Sequence, residues 1–374
     1  MKKILFLTGT RADFGKLKSL IQAVKEEPGF EYEIFATGMH LQHAYGYTVL
    51  EIEKSGFENI KTFDNNTSEM TMDLSLARTI EGLSEFIKKN EPDLIVVHGD
   101  RIETLAGAIV GSLNNILVAH IEGGELSGTI DELIRHSVSK LSHIHYVSNE
   151  RAKKRLVQMG ELEKSIFEIG SPDIDIMFSK HLPDLTTVKK YYEILFHEYA
   201  IAMFHPVTTE AENIKKHASQ FVDALLESGR KYVVVYPNND RGTGIIMDEY
   251  ERLKDHLRFR IIPSLRFEYF LSLLKNAEFI IGNSSAGVRE AHYYKIPSIN
   301  IGTRQQNRSA NKEIIHSDYS IEGILKSIEK TKNVFFNKEA FDFGNGDSAE
   351  KFLETLKSEN IWKIKHQKQF RDID

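Results

Sequence analysis

Two apolar runs in this chain end in carboxylates and histidines. The run DLIVVHGDR (93–101) closes on His98, Asp100 and Arg101, and ILVAHIEGGE (116–125) closes on His120, Glu122 and Glu125. Asp131 follows at the start of a helical segment. General acid/base chemistry needs positioned carboxyl groups whose surroundings separate their pKa values. If the two runs are neighbouring parallel strands, their carboxyl ends lie side by side at the edge where open α/β sheets bind ligands. Each acid also has a plainer reading. Asp131 sits near N2, where the helix dipole favours Asp. Glu122 precedes Gly123-Gly124 and would hydrogen-bond a turn, and Asp100 would pair with Arg101 or cap a helix starting at Glu103. Their coincidence at two adjacent strand ends favours proton transfer on a bound substrate. His98 and His120 each precede an acid by two positions, a spacing that puts both side chains on one face of a strand, where they would orient those acids or donate to substrate. The histidines His98, His120, His136 and His205 show no HExxH-like spacing, so no metal is expected.

A second set of residues has the character of an anion site. GNSSAGVREA (282–291) follows an apolar run and opens a helical one, so backbone amides and the hydroxyls of Ser284 and Ser285 would face an anion. Gly287 is followed by Val288 and not Lys, so this is no P-loop, and the chain contains no GxGxxG. Glu290 is one turn in, where it would accept from ribose hydroxyls, and Arg304 follows the next apolar run. Arg11, in GTRADFGKL (9–17), stands at a strand-to-helix turn suited to a charged ligand. His205 with Pro206, and Asn238 with Asn239, end two further runs.

To bring these ends together the chain must alternate strands with helices. β-rich runs fall at 4–10, 32–38, 93–100, 116–122, 144–149 and 166–170. Leu76, Ile80, Leu83 and Ile87 step at helical spacing, and Thr129 with Glu132 reads as a capping box opening a helix through Leu133, Ser137 and Leu141. The pattern weakens over 171–198, then restarts with runs at 199–204, 231–236, 259–262, 278–282 and 298–301. Ile214, Ala218, Phe221 and Leu225 define a helix stopped by Gly229. Alternation of this kind builds parallel sheets. The expected fold is therefore α/β, with two Rossmann-like doubly wound domains and the site in a cleft between them. The expected boundaries are 1–175 for the domain with the acids and 176–350 for the domain with the anion-binding groups. A helical tail, 351–374, is anchored by Trp362 and packs back across the domains. The polar stretches 64–71 and 302–313 are candidate closing loops.

Composition narrows the classes. At 374 residues the chain exceeds one comfortable core. A net charge of -6 argues against nucleic acid as the main partner. The absence of cysteine excludes disulfides, thiolate chemistry and Cys-ligated metals, and fits the cytoplasm. The apolar stretch at 4–7 is too short for a signal peptide, and no stretch approaches the ~18 apolar residues of a membrane span.

Taken in order, TRADFGKL, HGDR, HIEGGE, the Asp131 helix, GSPDID (170–175), FHPVT (204–208), YPNND (236–240), GNSSAGVREA and IGTRQ (301–305) resemble the UDP-N-acetylglucosamine 2-epimerases. Within that family the chain is most similar to the hydrolysing branch of bacterial sialic-acid synthesis, and the resemblance spans nearly its whole length. It implies GT-B architecture with an interdomain active-site cleft. The implied reaction converts UDP-N-acetylglucosamine and water to N-acetylmannosamine and UDP through 2-acetamidoglucal, with no NAD, metal or other cofactor. Catalytic roles are implied for Asp100, Glu122 and Asp131, with His205 nearby. Contacts to UDP are implied for Arg11, Arg101, Asn238, Ser284, Ser285, Glu290 and Arg304. The expected partners are a UDP-sugar and a second copy of the chain, with no nucleic acid and no membrane. Other readings stay open: a non-hydrolysing epimerase, a hydrolysing epimerase for a 2,4-diacetamido-6-deoxy sugar nucleotide, a glycosyltransferase on the same fold, or a non-catalytic sugar-nucleotide sensor.

Overall fold

The structure, a computed structural model, describes the chain except for residues 67–70, 128–129, 180–181, 239, 306–312, 335, 337–342 and 373–374. Its strands are β1 (Lys2–Thr8), β2 (Phe30–Ala36), β3 (Ile60–Thr62), β4 (Leu94–His98), β5 (Leu117–Ile121), β6 (Ile144–Val147), β7 (Ile166–Glu168), β8 (Ala200–Met203), β9 (Tyr232–Val235), β10 (Phe259–Ile262), β11 (Ile280–Gly282), β12 (Ser298–Ile301) and β13 (Ile315–Ser317). Among the described residues they form two sheets, of seven strands in the order β3-β2-β1-β4-β5-β6-β7 and of six in the order β10-β9-β8-β11-β12-β13. The pairings are all parallel, as expected for strands covered by helices on both faces. That covering explains why LIVVH and LVAHI are buried along their whole length and read as continuous apolar runs.

The α/β fold with two doubly wound sheets is thus as the sequence predicts. Two strands escaped that reading. β3 and β13 are three-residue edge strands without a buried residue between them. The weak stretch at 171–198 holds two short helices, Pro172–Met177 and Leu185–Tyr191, the first begun by Pro172 at its opening turn.

The chain divides into two compact units: residues 1–125, 131–179 and 342–374, and residues 126–130 and 180–341. Each has its own core. In the first, Ile4, Phe6, Leu94, Val96, Ala119 and Tyr146 from the sheet meet Leu17, Ile21 and Val24 of the helix Arg11–Glu26. The tail belongs to this unit. Phe352, from the helix Ser348–Lys357, is fully buried, with ring centroids 6.4 Å from Phe6 and 4.9 Å from Tyr146. Trp362 stacks on Phe30 at 6.4 Å. In the second unit Ala202, Val234 and Ile281 pack on Ala218, Phe221 and Leu225 of the helix Ile214–Glu227. Strand order reverses between β1 and β4 in one sheet and between β8 and β11 in the other. At such switch points the loops diverge to opposite faces and leave room for a ligand. Among the described residues no helix is long and apolar enough to cross a membrane.

Candidate active site

The acids of the first unit are gathered just beyond the carboxyl ends of β4 and β5. His98 is level with Ile121 in the register of the two strands, so the turns that follow run side by side. The chain leaves β4 through Gly99, at φ +76°, and leaves β5 through Glu122 itself, at φ +63°. A left-handed conformation at a residue with a Cβ costs on the order of 1 kcal/mol and persists only where its surroundings impose it. Here the Glu122 amide donates to the Tyr146 carbonyl at 2.8 Å, and the Glu122 carbonyl accepts from Arg135 Nη1 at 2.6 Å.

Arg135 is the centre of the arrangement. It is 1 % exposed and comes from the helix Ile130–Leu141. While Nη1 holds the Glu122 backbone, Nη2 donates to the Asp100 carboxylate. Asp131 is the second residue of that helix, one turn before Arg135 and so on the same face. Arg135 therefore ties Asp100 to the Glu122 turn, and its own helix carries Asp131. Arg135 is thus a partner of Asp100 that sequence reading did not offer. Arg101 Nε lies 3.3 Å from Glu103, and the helix begins at Ile102.

The Glu122 carboxylate, 2 % exposed, is held on both oxygens. Ser171 Oγ donates to Oε1. His98 Nε2 lies 3.1 Å and Lys16 Nζ 3.8 Å from Oε2. Lys16 also pairs with Asp173 at 3.1 Å, and His98 Nδ1 with Asp13 Oδ1 at 2.8 Å. Burial opposes charge on His98, but Glu122 and Asp13 outweigh it and push the imidazole up to about 9. His120 is the opposite case. Its Nε2 donates to the Gly99 carbonyl at 2.8 Å and its Nδ1 accepts from Ser139 Oγ at 3.0 Å, so both nitrogens are served by a neutral ring. Burial pulls it down to about 3. Neither histidine orients the acid two residues on: His98 reaches Glu122, and His120 braces the Gly99 turn. Glu125 accepts from Ser148 Oγ at 2.8 Å. Arg11 opens the helix Arg11–Glu26 and lies 3.8 Å from Glu51.

In the second unit the polar groups converge on Asn283, which is fully buried just after β11. Its side chain donates to the His205 carbonyl at 2.9 Å and accepts from the His205 amide at 2.7 Å. Its carbonyl accepts from Arg304 Nη1 at 3.3 Å and from Gln305 Nε2 at 3.0 Å. The Asn238 amide donates to His205 Nδ1 at 3.0 Å, which leaves the proton of a neutral ring on Nε2. Gly282 has φ +136°, and a Cβ there would overlap the Met203 carbonyl oxygen. Only glycine allows the chain to turn so close to β8. Ser284 then caps a single 3₁₀ turn, Ser285–Gly287, accepting from the Ala286 amide. Glu290 is buried at the start of the helix Glu290–Tyr293, beside the buried Arg289.

Sequence alone did not single out Asp13, Lys16, Arg135, Ser171, Asp173, Asn283 or Arg289. Most lie inside motifs it did pick (TRADFGKL, GSPDID, GNSSAGVREA), and Asp13 and Lys16 stand at a helical i, i+3 spacing. Thr129, Asn239 and the central parts of the two candidate closing loops lie outside the described residues. Among the described residues no group of three or more His, Asp or Glu is arranged to hold a metal ion.

Comparison with known proteins points the same way. The sequence model of the UDP-N-acetylglucosamine 2-epimerase family matches residues 22–357. A UDP-N-acetylglucosamine 2-epimerase of Neisseria meningitidis serogroup B is 48% identical over 377 residues, covering 100% of both chains. A UDP-N,N'-diacetylbacillosamine 2-epimerase (hydrolyzing) of Legionella pneumophila is 33% identical over 362 residues, 96% of each. The crystal structure of the Methanocaldococcus jannaschii UDP-GlcNAc 2-epimerase with UDP-GlcNAc and UDP superposes with a TM-score of 0.80 at 24% identity, over 95% of this chain and 99% of that one, and so shares its fold. With a match along almost its entire length, this chain belongs to the UDP-N-acetylglucosamine 2-epimerase family.

Proposed function

We propose that the protein is a hydrolysing UDP-N-acetylglucosamine 2-epimerase, converting UDP-N-acetylglucosamine and water to N-acetylmannosamine and UDP, the first step toward sialic acid. The hydrogen at carbon 2 of the sugar has no neighbouring carbonyl to acidify it, so a carboxylate cannot remove it directly. Expelling UDP first develops positive charge at carbon 1 and makes that hydrogen labile. Elimination then gives 2-acetamidoglucal, and addition of water from the other face completes the inversion. The first step needs donors on the diphosphate and a base. The second needs an acid and a base that activates water.

The observation that carries this reading is Arg135, which joins the Asp100 carboxylate to the backbone carbonyl of Glu122 and shares its helix with Asp131. Donors for the diphosphate are available in the second unit from Ser284, Ser285, Arg304 and Asn238, with Glu290 for the ribose. Arg11 and Arg101 supply cationic groups in the first unit. His205, with its proton on Nε2, is a neutral donor near the leaving group. Under this reading the enzyme acts in the cytoplasm as a homodimer, needs no cofactor, and has its acids in the N-terminal domain and its nucleotide grip in the C-terminal one.

Incubation with UDP-N-acetylglucosamine in deuterated water, followed by NMR, should give UDP and N-acetylmannosamine labelled at carbon 2. UDP-N-acetylmannosamine as the product would instead identify a non-hydrolysing enzyme. Asp100→Asn, Glu122→Gln and Asp131→Asn should each lower kcat by about 10²–10⁴-fold. The relative with 33% identity favours one second reading, a UDP-N,N'-diacetylbacillosamine substrate. Comparing kcat/KM for the two sugar nucleotides decides between them.

A further inference from the structure

We propose that Asp13 and His98 are positioning residues that hold the Glu122 carboxylate ionised and fixed in direction, an inference that rests on Glu122 serving as one of the proton-transfer acids. The pair sits at the switch point between β1 and β4. Asp13 is the third residue of the helix Arg11–Glu26 and is fixed from two sides: Oδ2 accepts from the Gly9 amide at 3.0 Å, and Oδ1 lies 2.8 Å from His98 Nδ1. The other ring nitrogen is 3.1 Å from Glu122 Oε2.

A neutral imidazole has one N–H and one lone pair. With a carboxylate at each nitrogen, one contact would set a lone pair against an anion. Only the imidazolium satisfies both. The charged groups around the ring require the same state. Asp13 faces it from the first helix and Glu122 from the turn after β5, with Lys16 on the Glu122 carboxylate. Behind them stand Asp173 in the helix Pro172–Met177 and Arg135, while His120 on β5 is neutral. With Arg135 paired to Asp100, Asp13, Glu122 and Asp173 against Lys16 would leave an anionic excess. A cationic His98 relieves it, consistent with its pKa of about 9. His120 makes the contrast. It is as buried and as near a strand end, but its partners are a carbonyl and a hydroxyl, and it stays neutral. With His98 and Lys16 at Oε2 and Ser171 at Oε1, the carboxylate keeps one direction. Misplacing a reacting group by about 1 Å can cost ~10²-fold in rate.

The test is the pH dependence of turnover of UDP-N-acetylglucosamine by Asp13→Asn. Its kcat should fall by about 10–100-fold with KM changed by less than about twofold. Wild-type kcat should decline as pH rises through about 9, where His98 loses its proton. In Asp13→Asn that decline should move to lower pH, because removing the Asp13 charge loosens the His98 proton. His98→Gln should lose kcat similarly and lose that limb. If variants fail to fold, NMR titration of the His98 ring in the wild-type protein serves instead, with an expected midpoint near 9. A midpoint at or below the free-histidine value of about 6.5 overturns the proposal. So does a wild-type kcat in Asp13→Asn, or a lowered kcat with the limb unmoved, which would mark a merely structural role. Near-normal turnover by Glu122→Gln would sink the underlying reading while leaving the ring's titration untouched, so the two failures are separable.

Discussion

The two units wind their sheets alike and put polar residues at equivalent switch points, yet they build those points from different materials. Around the ends of β1, β4 and β5 the first unit uses acidic and basic side chains, braced from three helices: Lys16 and Asp13 from Arg11–Glu26, Arg135 from Ile130–Leu141, Asp173 from Pro172–Met177. Beyond β8 and β11 the second unit uses main-chain groups, a buried amide side chain and hydroxyls, with Arg304 bonded to a carbonyl. Proton transfer needs titratable groups at fixed distances, and buried charges stay charged only when paired. Holding a diphosphate needs preformed donors, which amides and hydroxyls supply without titrating. Under the proposed function, the same fold thus separates chemistry from grip.

The comparison breaks if the first unit does not depend on its charges. Arg135→Gln should be the most damaging change, leaving Asp100 and the Glu122 carbonyl without their buried partner. A loss of about 3–5 kcal/mol in urea unfolding is expected. The counterpart in the second unit is a backbone position. Gly282→Ala, at φ +136° against Met203, should cost about 3 kcal/mol and weaken UDP binding, measured by calorimetry, more than it lowers kcat. Stability should also depend on pH through the first unit. The folded pKa of His98, about 9, exceeds its unfolded value of about 6.5. Its contribution is therefore fully present below pH 6.5 and is lost as pH rises through 9, by up to about 1.4 kcal/mol per unit. Urea melts at pH 6.5 and 9 should differ more for wild type than for His98→Gln; equal differences would remove the charge argument. The smallest effect is expected far from the acids. Lys368 in the tail donates to Ser139 and Ser142 carbonyls, at 3.2 and 2.6 Å, and to Glu161 at 2.6 Å. Lys368→Met should cost about 1–2 kcal/mol, since Lys140 and His145 still hold Glu161.

Legibility in the sequence followed burial. Strands covered on both faces announced themselves as apolar runs, and the helix Ile214–Glu227 as a spaced stripe. β3 and β13 were silent because short, half-exposed edge strands carry no such pattern. Asp100 and Glu122 stood out because each follows the end of an apolar strand, and Asp131 because it opens the next helix. Asp13 did not, because an acid in a first helical turn is favoured by the dipole alone, and Lys16 did not, because a lysine one turn further into a helix is ordinary. His98 shows where spacing misleads. Its two-residue offset from Asp100 implied a shared strand face, but the strand ends at His98, and Gly99 swings the chain away.

The sequence by itself determined the parallel α/β class, the two sheets and the acids at their strand ends, because hydrophobic periodicity and turn chemistry are local properties. Which charge meets which was decided only by strand order and register. With β1 beside β4 and β4 beside β5, Asp13, His98 and Glu122 become neighbours across more than a hundred residues of chain. In a buried setting that adjacency fixes who is charged, because the Coulomb energy of a pair depends on distance in space and not on separation along the chain.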